Sequence, residues 1–89
     1  MTTRTVAIGS SVGLHARPAA LFVEAVNKAG VPVTICKPGG DPRPANSMLT
    51  IMALGAKHGD EVVLGCEADN ADAVLDELVA LLERDLDAE

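Results

Sequence analysis

Hydrophobic and polar residues alternate in three stretches of the chain, and a period of two is typical of β-strands with one buried face. The stretches cover residues 3–8, 31–36 and 61–67. In the first, Val6 and Ile8 fall on one side and Thr5 falls on the other. The second stretch is expected to turn Val33 and Ile35 towards the core.

Three further stretches repeat their apolar residues at helical spacing. The first begins at Ala16 and ends at Gly30, because glycine readily adopts the left-handed conformation that terminates helices. Asn46 or Ser47 caps a short second helix, which runs to Leu54. The apolar stripes of the first and last helices are Ala19, Phe22, Val23 and Val26, and Ala71, Val74, Leu75, Leu78, Val79 and Leu82.

The segment between the second strand and the second helix, residues 37–44, contains Gly39, Gly40 and three prolines. Proline cannot donate to a sheet, so any strand here is short and lies at an edge.

Asp69 or Asn70 opens the last helix, and the acidic residues beyond it are expected to be solvated, namely Asp85, Asp87 and Glu89. The order β-α-β-β-α-β-α, without a repeat or linker, predicts one α+β domain over residues 1–89, with helices on one face of a sheet.

The two cysteines lie in predicted strands but on opposite faces. Cys66 shares the inward face with Leu64, whereas Cys36 is one residue out of phase with Ile35. Two cysteines do not make a disulfide framework, and their spacing fits no zinc motif. We therefore expect two buried or half-buried thiols that do not contact each other.

The composition narrows the range of partners. The chain has 89 residues, a net charge of −6 and a single aromatic residue, Phe22. Proteins that neutralise nucleic-acid phosphates are basic and those that stack bases need aromatic side chains, so no nucleic acid is expected. No segment approaches the roughly 20 apolar residues of a membrane span, and residues 1–4 do not begin a signal peptide. These features predict a cytoplasmic protein without membrane insertion, metal or other cofactor.

One segment, residues 13–20, has the residue types that phosphate chemistry needs. His15 stands at the mouth of the first helix, where the N–H groups of Ala16 and Arg17 and the helix dipole favour an anion. A neutral imidazole is a nucleophile near neutral pH, and the Arg17 guanidinium can hold two phosphate oxygens. A histidine at a helix start is more often a cap or a surface residue, so the residues alone leave both interpretations open.

Residues 13–19, Gly-Leu-His-Ala-Arg-Pro-Ala, resemble the active-site signature of the HPr family, the phosphocarriers of the phosphoenolpyruvate-dependent sugar phosphotransferase system. Residues 46–55 resemble the regulatory serine helix of that family, and residues 61–64 and the last helix match in place. The resemblance extends over essentially the whole chain. It implies an open-faced β-sandwich, in which four antiparallel strands in the order 1-4-2-3 are covered by three helices.

The resemblance also implies a carrier rather than an enzyme with free turnover. Enzyme I would phosphorylate His15 on its δ nitrogen, Arg17 would stabilise the phosphoryl group, and enzyme IIA domains would receive it. Ser47 matches the serine that the HPr kinase/phosphorylase modifies in some family members. The protein is expected to be a monomer.

The first helix and the short second helix are expected to form one docking patch for these partners, because apolar anchors around a charged centre are typical of such interfaces. Its candidate residues are Ala20, Leu21, Met48, Leu49 and Met52. Leu49 or Met52 is expected to be partly exposed. Departures from the family, at residues 11–12 and in the proline-rich segment 37–44, affect this surface rather than the chemistry.

Two alternatives stay open at this point. A family branch that serves nitrogen regulation or a dihydroxyacetone kinase would use the same chemistry at His15. A small α+β regulatory module would never carry a phosphoryl group there. Acid-labile phosphate on His15 separates this module from both kinds of carrier.

Overall fold

The computed structural model describes residues 1–84 and contains four strands and three helices in the predicted order. The strands are β1 (Thr2–Ala7), β2 (Val33–Cys36), β3 (Arg43–Pro44) and β4 (Glu61–Cys66). The helices are α1 (Ala16–Ala29), α2 (Met48–Ala53) and α3 (Ala71–Glu83). The residues predicted to form a solvated acidic end, Asp85, Asp87 and Glu89, lie outside the described range.

The strands form one antiparallel sheet in the order β1-β4-β2-β3, which confirms the expected topology. The register places inward-facing residues side by side, with Val6 opposite Val62 and Ile35 opposite Leu64. Because side chains alternate between faces, this register gathers the apolar residues of three strands on one side.

The helices cover that side, and their apolar stripes complete the core. Phe22, the single aromatic residue, is fully buried, as are Ile35, Ile51 and Leu75. The other face of the sheet carries exposed residues such as Thr5, so the fold is the open-faced sandwich that the family resemblance implied.

Element ends differ from the sequence prediction by one or two residues, for local reasons. Strand β2 begins at Val33 rather than Val31, and Pro32, which has no N–H to donate, immediately precedes it. Of the two candidate caps of α2, Ser47 is the N-cap, and Asn70 is the N-cap of α3. Gly30 ends α1 in the left-handed conformation, as expected.

Both cysteines are buried thiols, and they lie on opposite faces of the sheet as the alternation predicted. Cys66 belongs to the core between sheet and helices. Cys36 lies on the outer face, beside the turn closed by the Gly40 N–H on the Lys37 carbonyl (2.8 Å), where a Cβ added at Gly40 would lie 3.8 Å from the Cys36 Cβ. The turn thus covers a thiol that would otherwise face solvent.

A charged group joins the outermost strand to α3. Arg4 lies on the same side of β1 as Val6, and its guanidinium donates to Asp72 at 2.7 Å and lies 3.4 Å from Asp76. The hydrogen bond to Asp72 and the charge of both carboxylates raise the pKa of Arg4 above its ordinary value. Arg4 therefore holds the start of α3 against the edge of the sheet.

Candidate functional site

His15 is the N-cap residue of α1 and has extended backbone angles, with φ −142° and ψ 156°. Its side chain is exposed and makes no capping hydrogen bond to the helix. An N-cap side chain ordinarily accepts a hydrogen bond from the first turn. Because the imidazole is not used in this way, it is presented to solvent beside the first-turn N–H groups.

The first turn of α1 is suited to an anion. It contains no acidic residue, so no carboxylate offsets the positive end of the helix dipole. Ala16 and Arg17 supply the first two N–H groups, and the exposed Arg17 side chain starts from the same turn. Pro18 and Ala19 are buried and fix this turn to the core. The predicted site residues His15, Ala16 and Arg17 are consecutive, so their proximity follows from the sequence.

Ala16 has a φ of 49°, which is the left-handed region that residues with a Cβ rarely adopt. It is the only described residue other than glycine with a positive φ. The conformation costs about 1 kcal/mol for an ordinary residue. It turns the chain sharply between the extended His15 and the helix, and no feature of the sequence predicted it.

Replacing Ala16 with Gly is therefore expected to leave stability nearly unchanged, because the relief of about 1 kcal/mol offsets the similar entropic cost of a glycine. Ala20→Gly is the matched control: Ala20 is exposed in the same helix and is not strained, so this change should cost about 1 kcal/mol. Urea unfolding of both variants measures the difference. Equal losses of stability would contradict the strained conformation.

The loop before His15 is held against a second loop. Gly13 has a φ of 78°, and a Cβ there would lie 2.6 Å from the Ala56 carbonyl oxygen. The N–H of the next residue, Leu14, donates to that same oxygen at 2.9 Å, and the Leu14 side chain is buried. Gly13 is thus required for the close approach that fixes the backbone two residues before His15.

Ser47 is the N-cap of α2, and its Oγ accepts from the Thr50 N–H at 3.4 Å. Its side chain is half-buried. The structure therefore confirms the capping role that the sequence allowed.

The docking candidates have different surroundings. Met48 is half-buried and packs against the core, whereas Leu49 is 83% exposed and Met52 is 37% exposed. Ala20 is exposed and Leu21 is half-buried on α1. Ala20 and Met48 line one shallow apolar depression between α1 and α2. Leu49 and Met52 are on the surface of α2 and do not line this depression.

Residues 1–84 include no helix that is long and apolar enough to cross a membrane. Within the same range, no group of three or more His, Cys, Asp or Glu side chains could hold a metal ion.

The fold and the position of His15 define a small α+β protein that presents an imidazole to solvent at a helix N-terminus. Residues 2–84 match the family model described as the PTS HPr component phosphorylation site. The phosphocarrier protein HPr of Streptomyces coelicolor is 47% identical over 87 residues, which are 98% of this chain and 94% of the relative. The chain belongs to the HPr family of phosphocarriers of the phosphotransferase system.

Solved structures agree with this assignment. The crystal structure of HPr-C-His from Thermoanaerobacter tengcongensis has a TM-score of 0.88 and 36% identity, and covers 100% of this chain and 99% of that one. The crystal structure of an HPr dimer from the same organism has a TM-score of 0.68 and 37% identity, with 93% and 94% of the two chains covered.

Proposed function

We propose that this chain accepts a phosphoryl group from phospho-enzyme I on His15 and donates it to sugar-specific enzyme IIA domains. One observation carries the proposal: the exposed His15 imidazole stands at the N-terminus of α1 and makes no capping hydrogen bond to the helix. Membership of a family of phosphocarriers supports the carrier function. The protein is a carrier, and its partners supply the rest of the catalytic apparatus.

In the proposed transfer, the lone pair of the neutral His15 Nδ1 attacks the phosphorus atom of phospho-enzyme I. The new N–P bond forms as the bond between phosphorus and enzyme I breaks, so no other reactant is consumed. The N–H groups of Ala16 and Arg17 and the α1 dipole stabilise the oxygens of the phosphoryl group. The Arg17 guanidinium adds a charge-assisted contact. The second transfer, to an enzyme IIA domain, reverses these steps.

The function is tested by incubating the protein with labelled phosphoenolpyruvate and enzyme I, with the Streptomyces coelicolor relative as positive control. We expect acid-labile phosphate on this chain, which then moves to one member of a panel of IIA domains. Transfer only to a nitrogen-regulatory acceptor or a dihydroxyacetone kinase subunit would assign the chain to that branch. No labelling under conditions that label the control would reject the carrier function.

We further propose that partners dock on a patch formed by Ala20, Leu21, Met48, Leu49 and Met52. The high exposure of Leu49 and the apolar depression between Ala20 and Met48 support this location. Exposed apolar side chains on α1 and α2 can be buried by a partner without any change in the fold.

Changing Leu49 to Asp is expected to weaken enzyme I binding about tenfold or more, because a central apolar anchor is worth about 2 kcal/mol and a charge there must be desolvated. Ala80→Asp is the matched control, since it adds the same charge at an exposed position on α3. Titration calorimetry measures both affinities. If the two variants bind equally well, the patch lies elsewhere.

Ser47 is proposed as a site for the HPr kinase/phosphorylase. A phosphate at this N-cap is compatible with α2, because it faces the N–H groups of the first turn and the positive end of the helix dipole. It would add roughly −1.5 to −2 charges beside Met48 and Leu49. The modification would therefore change docking rather than unfold the protein.

We accordingly expect Ser47→Asp to keep the fold and slow transfer from enzyme I to His15. Ser47→Ala should transfer at the normal rate but lose about 0.5–1 kcal/mol of stability, because the capping bond to Thr50 is lost. Single-turnover transfer rates and urea unfolding measure the two effects. Equal transfer rates for the two variants would contradict the proposed switch.

The proposal includes a monomeric state for residues 1–89. It also includes a cytoplasmic location, which fits the HPr family. Light scattering at working concentration tests the first, because an HPr of Thermoanaerobacter tengcongensis has been crystallised as a dimer. A dimer in solution would overturn the proposed monomeric state without affecting the proposed chemistry of His15.

A further inference from the structure

The second histidine of the chain, His58, contacts the loop that leads to His15. His58 is exposed in the turn between α2 and β4, and its ring Nδ1 lies 3.2 Å from the Ser10 carbonyl oxygen. These two residues are 48 positions apart in the chain. In the sequence His58 precedes Gly59 and Asp60, a pattern that by itself indicates only a solvated turn residue.

The chemistry of this contact determines that Nδ1 of the His58 ring is protonated. A carbonyl oxygen has no hydrogen and can only accept, so the hydrogen bond exists only when Nδ1 of His58 carries a proton. The neutral ring must therefore be the Nδ1–H tautomer, and the cationic ring also satisfies the requirement. In either form His58 donates to Ser10.

The Ser10 carbonyl also accepts the N–H of Gly13 at 3.0 Å. That bond closes the turn of residues 10–13, which leads directly to Leu14 and His15. Ser10 is 2% exposed, so the residue that accepts both bonds is buried. One oxygen thus receives both the bond that shapes the turn and the bond from His58.

Elsewhere the two loops are joined through backbone groups. Leu14 donates to the Ala56 carbonyl, Gly59 donates to Ile8 at 2.8 Å, and Ile8 donates to Asp60 at 2.9 Å. His58 adds a side-chain bond at the turn itself, between these backbone contacts. Its loss would leave the backbone contacts in place, so a substitution is expected to loosen the turn without unfolding the protein.

We propose that His58 is a positioning residue, which fixes the turn of residues 10–13 and thereby the direction of His15 at the start of α1. This role rests on the proposed transfer through His15. It predicts an effect on the transfer step and not on docking, because His58 is outside the proposed patch on α1 and α2. The maximal rate should fall, and the KM of enzyme I for this protein should stay unchanged.

The first test needs no phosphorylation. In nitrogen-15 NMR of the intact protein in alkaline solution, where an imidazole is neutral, the Nδ1 of His58 should give the signal of a protonated ring nitrogen. An unprotonated Nδ1 would overturn the proposal. This result does not depend on whether His15 accepts phosphate. It therefore separates failure of the proposed His58–Ser10 hydrogen bond from failure of the proposed function.

The second test compares three variants in steady-state transfer from enzyme I. His58→Ala should lower the maximal rate about fivefold, the factor that one ordinary hydrogen bond is worth. His58→Asn should recover most of the rate, because its side-chain N–H₂ is as many bonds from the backbone as Nδ1. Lys57→Ala, an exposed neighbour in the same turn, is the control and should transfer normally.

Amide hydrogen exchange adds a structural measurement. The Gly13 N–H, which shares the Ser10 carbonyl, should exchange faster in His58→Ala and return towards the original rate in His58→Asn. A higher KM with an unchanged maximal rate would make His58 a docking residue and overturn the proposal. A slower rate in His58→Ala that His58→Asn does not recover would also overturn it, as would an equal loss in Lys57→Ala.

Discussion

Replacing His15 with Ala is expected to abolish acid-labile labelling from phosphoenolpyruvate and enzyme I. The labelling that remains in this variant should equal the labelling in a reaction without enzyme I. The fold should persist, because the His15 side chain is exposed and makes no capping hydrogen bond, and surface changes of this kind alter stability by about 0.5 kcal/mol or less. Circular dichroism and urea unfolding check the fold, and scintillation counting of the labelled protein checks the loss.

The chain offers a matched control, because it has two histidines. His58→Ala should reach full labelling at the end point, whatever its rate, since it keeps the acceptor nitrogen of His15. Labelling that survives in His15→Ala but disappears in His58→Ala would move the phosphoryl site to the second histidine. Labelling that survives in both variants would mean either that both histidines accept the phosphoryl group or that another residue type does.

Replacing Gly9 with Ala is expected to cost about 3 kcal/mol of unfolding free energy. A Cβ at this position would lie 1.9 Å from the carbonyl oxygen of Glu83 and 2.5 Å from its carbonyl carbon, which are backbone atoms at the end of α3. The Gly9 N–H also donates to the Leu82 carbonyl at 2.8 Å, so the loop and the helix end cannot separate without losing this bond. Overpacking against backbone typically costs 1–3 kcal/mol, and the lost hydrogen bond adds about 1 kcal/mol.

Gly55→Ala provides the comparison. Gly55 has a φ of 64°, but a Cβ there would meet no atom within 4 Å, so the change should cost only about 1 kcal/mol of conformational strain. Urea unfolding of both variants gives the two values. If Gly9→Ala loses no more stability than Gly55→Ala, the end of α3 moves aside at little cost and the close packing is not required.

Most of the fold could be predicted from the pattern of residues. The alternation of hydrophobic and polar residues correctly predicted which strand residues face the core, including Val33 and Ile35, because a strand with one buried face must alternate. Helix ends were predicted where a residue has a specific local role, such as Gly30 at a C-cap, and the N-cap of α2 was narrowed to Asn46 or Ser47, of which Ser47 is the cap. The order of the strands came from the family resemblance, since hydrophobic period does not specify which strands pair.

What the sequence did not predict depends on contacts between distant loops. Cys36 is buried, within the range that the sequence predicted, but the turn that covers it on the outer face could not be predicted from the alternation. The contact of His58 with Ser10 joins residues 48 positions apart, and no local pattern marks it. The positive φ of Ala16 has no signal either, because alanine favours an ordinary helical conformation and only the surrounding structure holds it otherwise.

The two edges of the sheet differ in a way that bears on aggregation. At one edge, β3 is only two residues long and ends in Pro44, which lacks a backbone donor, so it is a poor template for another chain. At the other edge, β1 has six residues and no proline. Its one charged residue, Arg4, points towards the helices. Intermolecular strand addition at high concentration should therefore begin at β1. The ion pairs of Arg4 with Asp72 and Asp76 oppose it by holding this strand to α3.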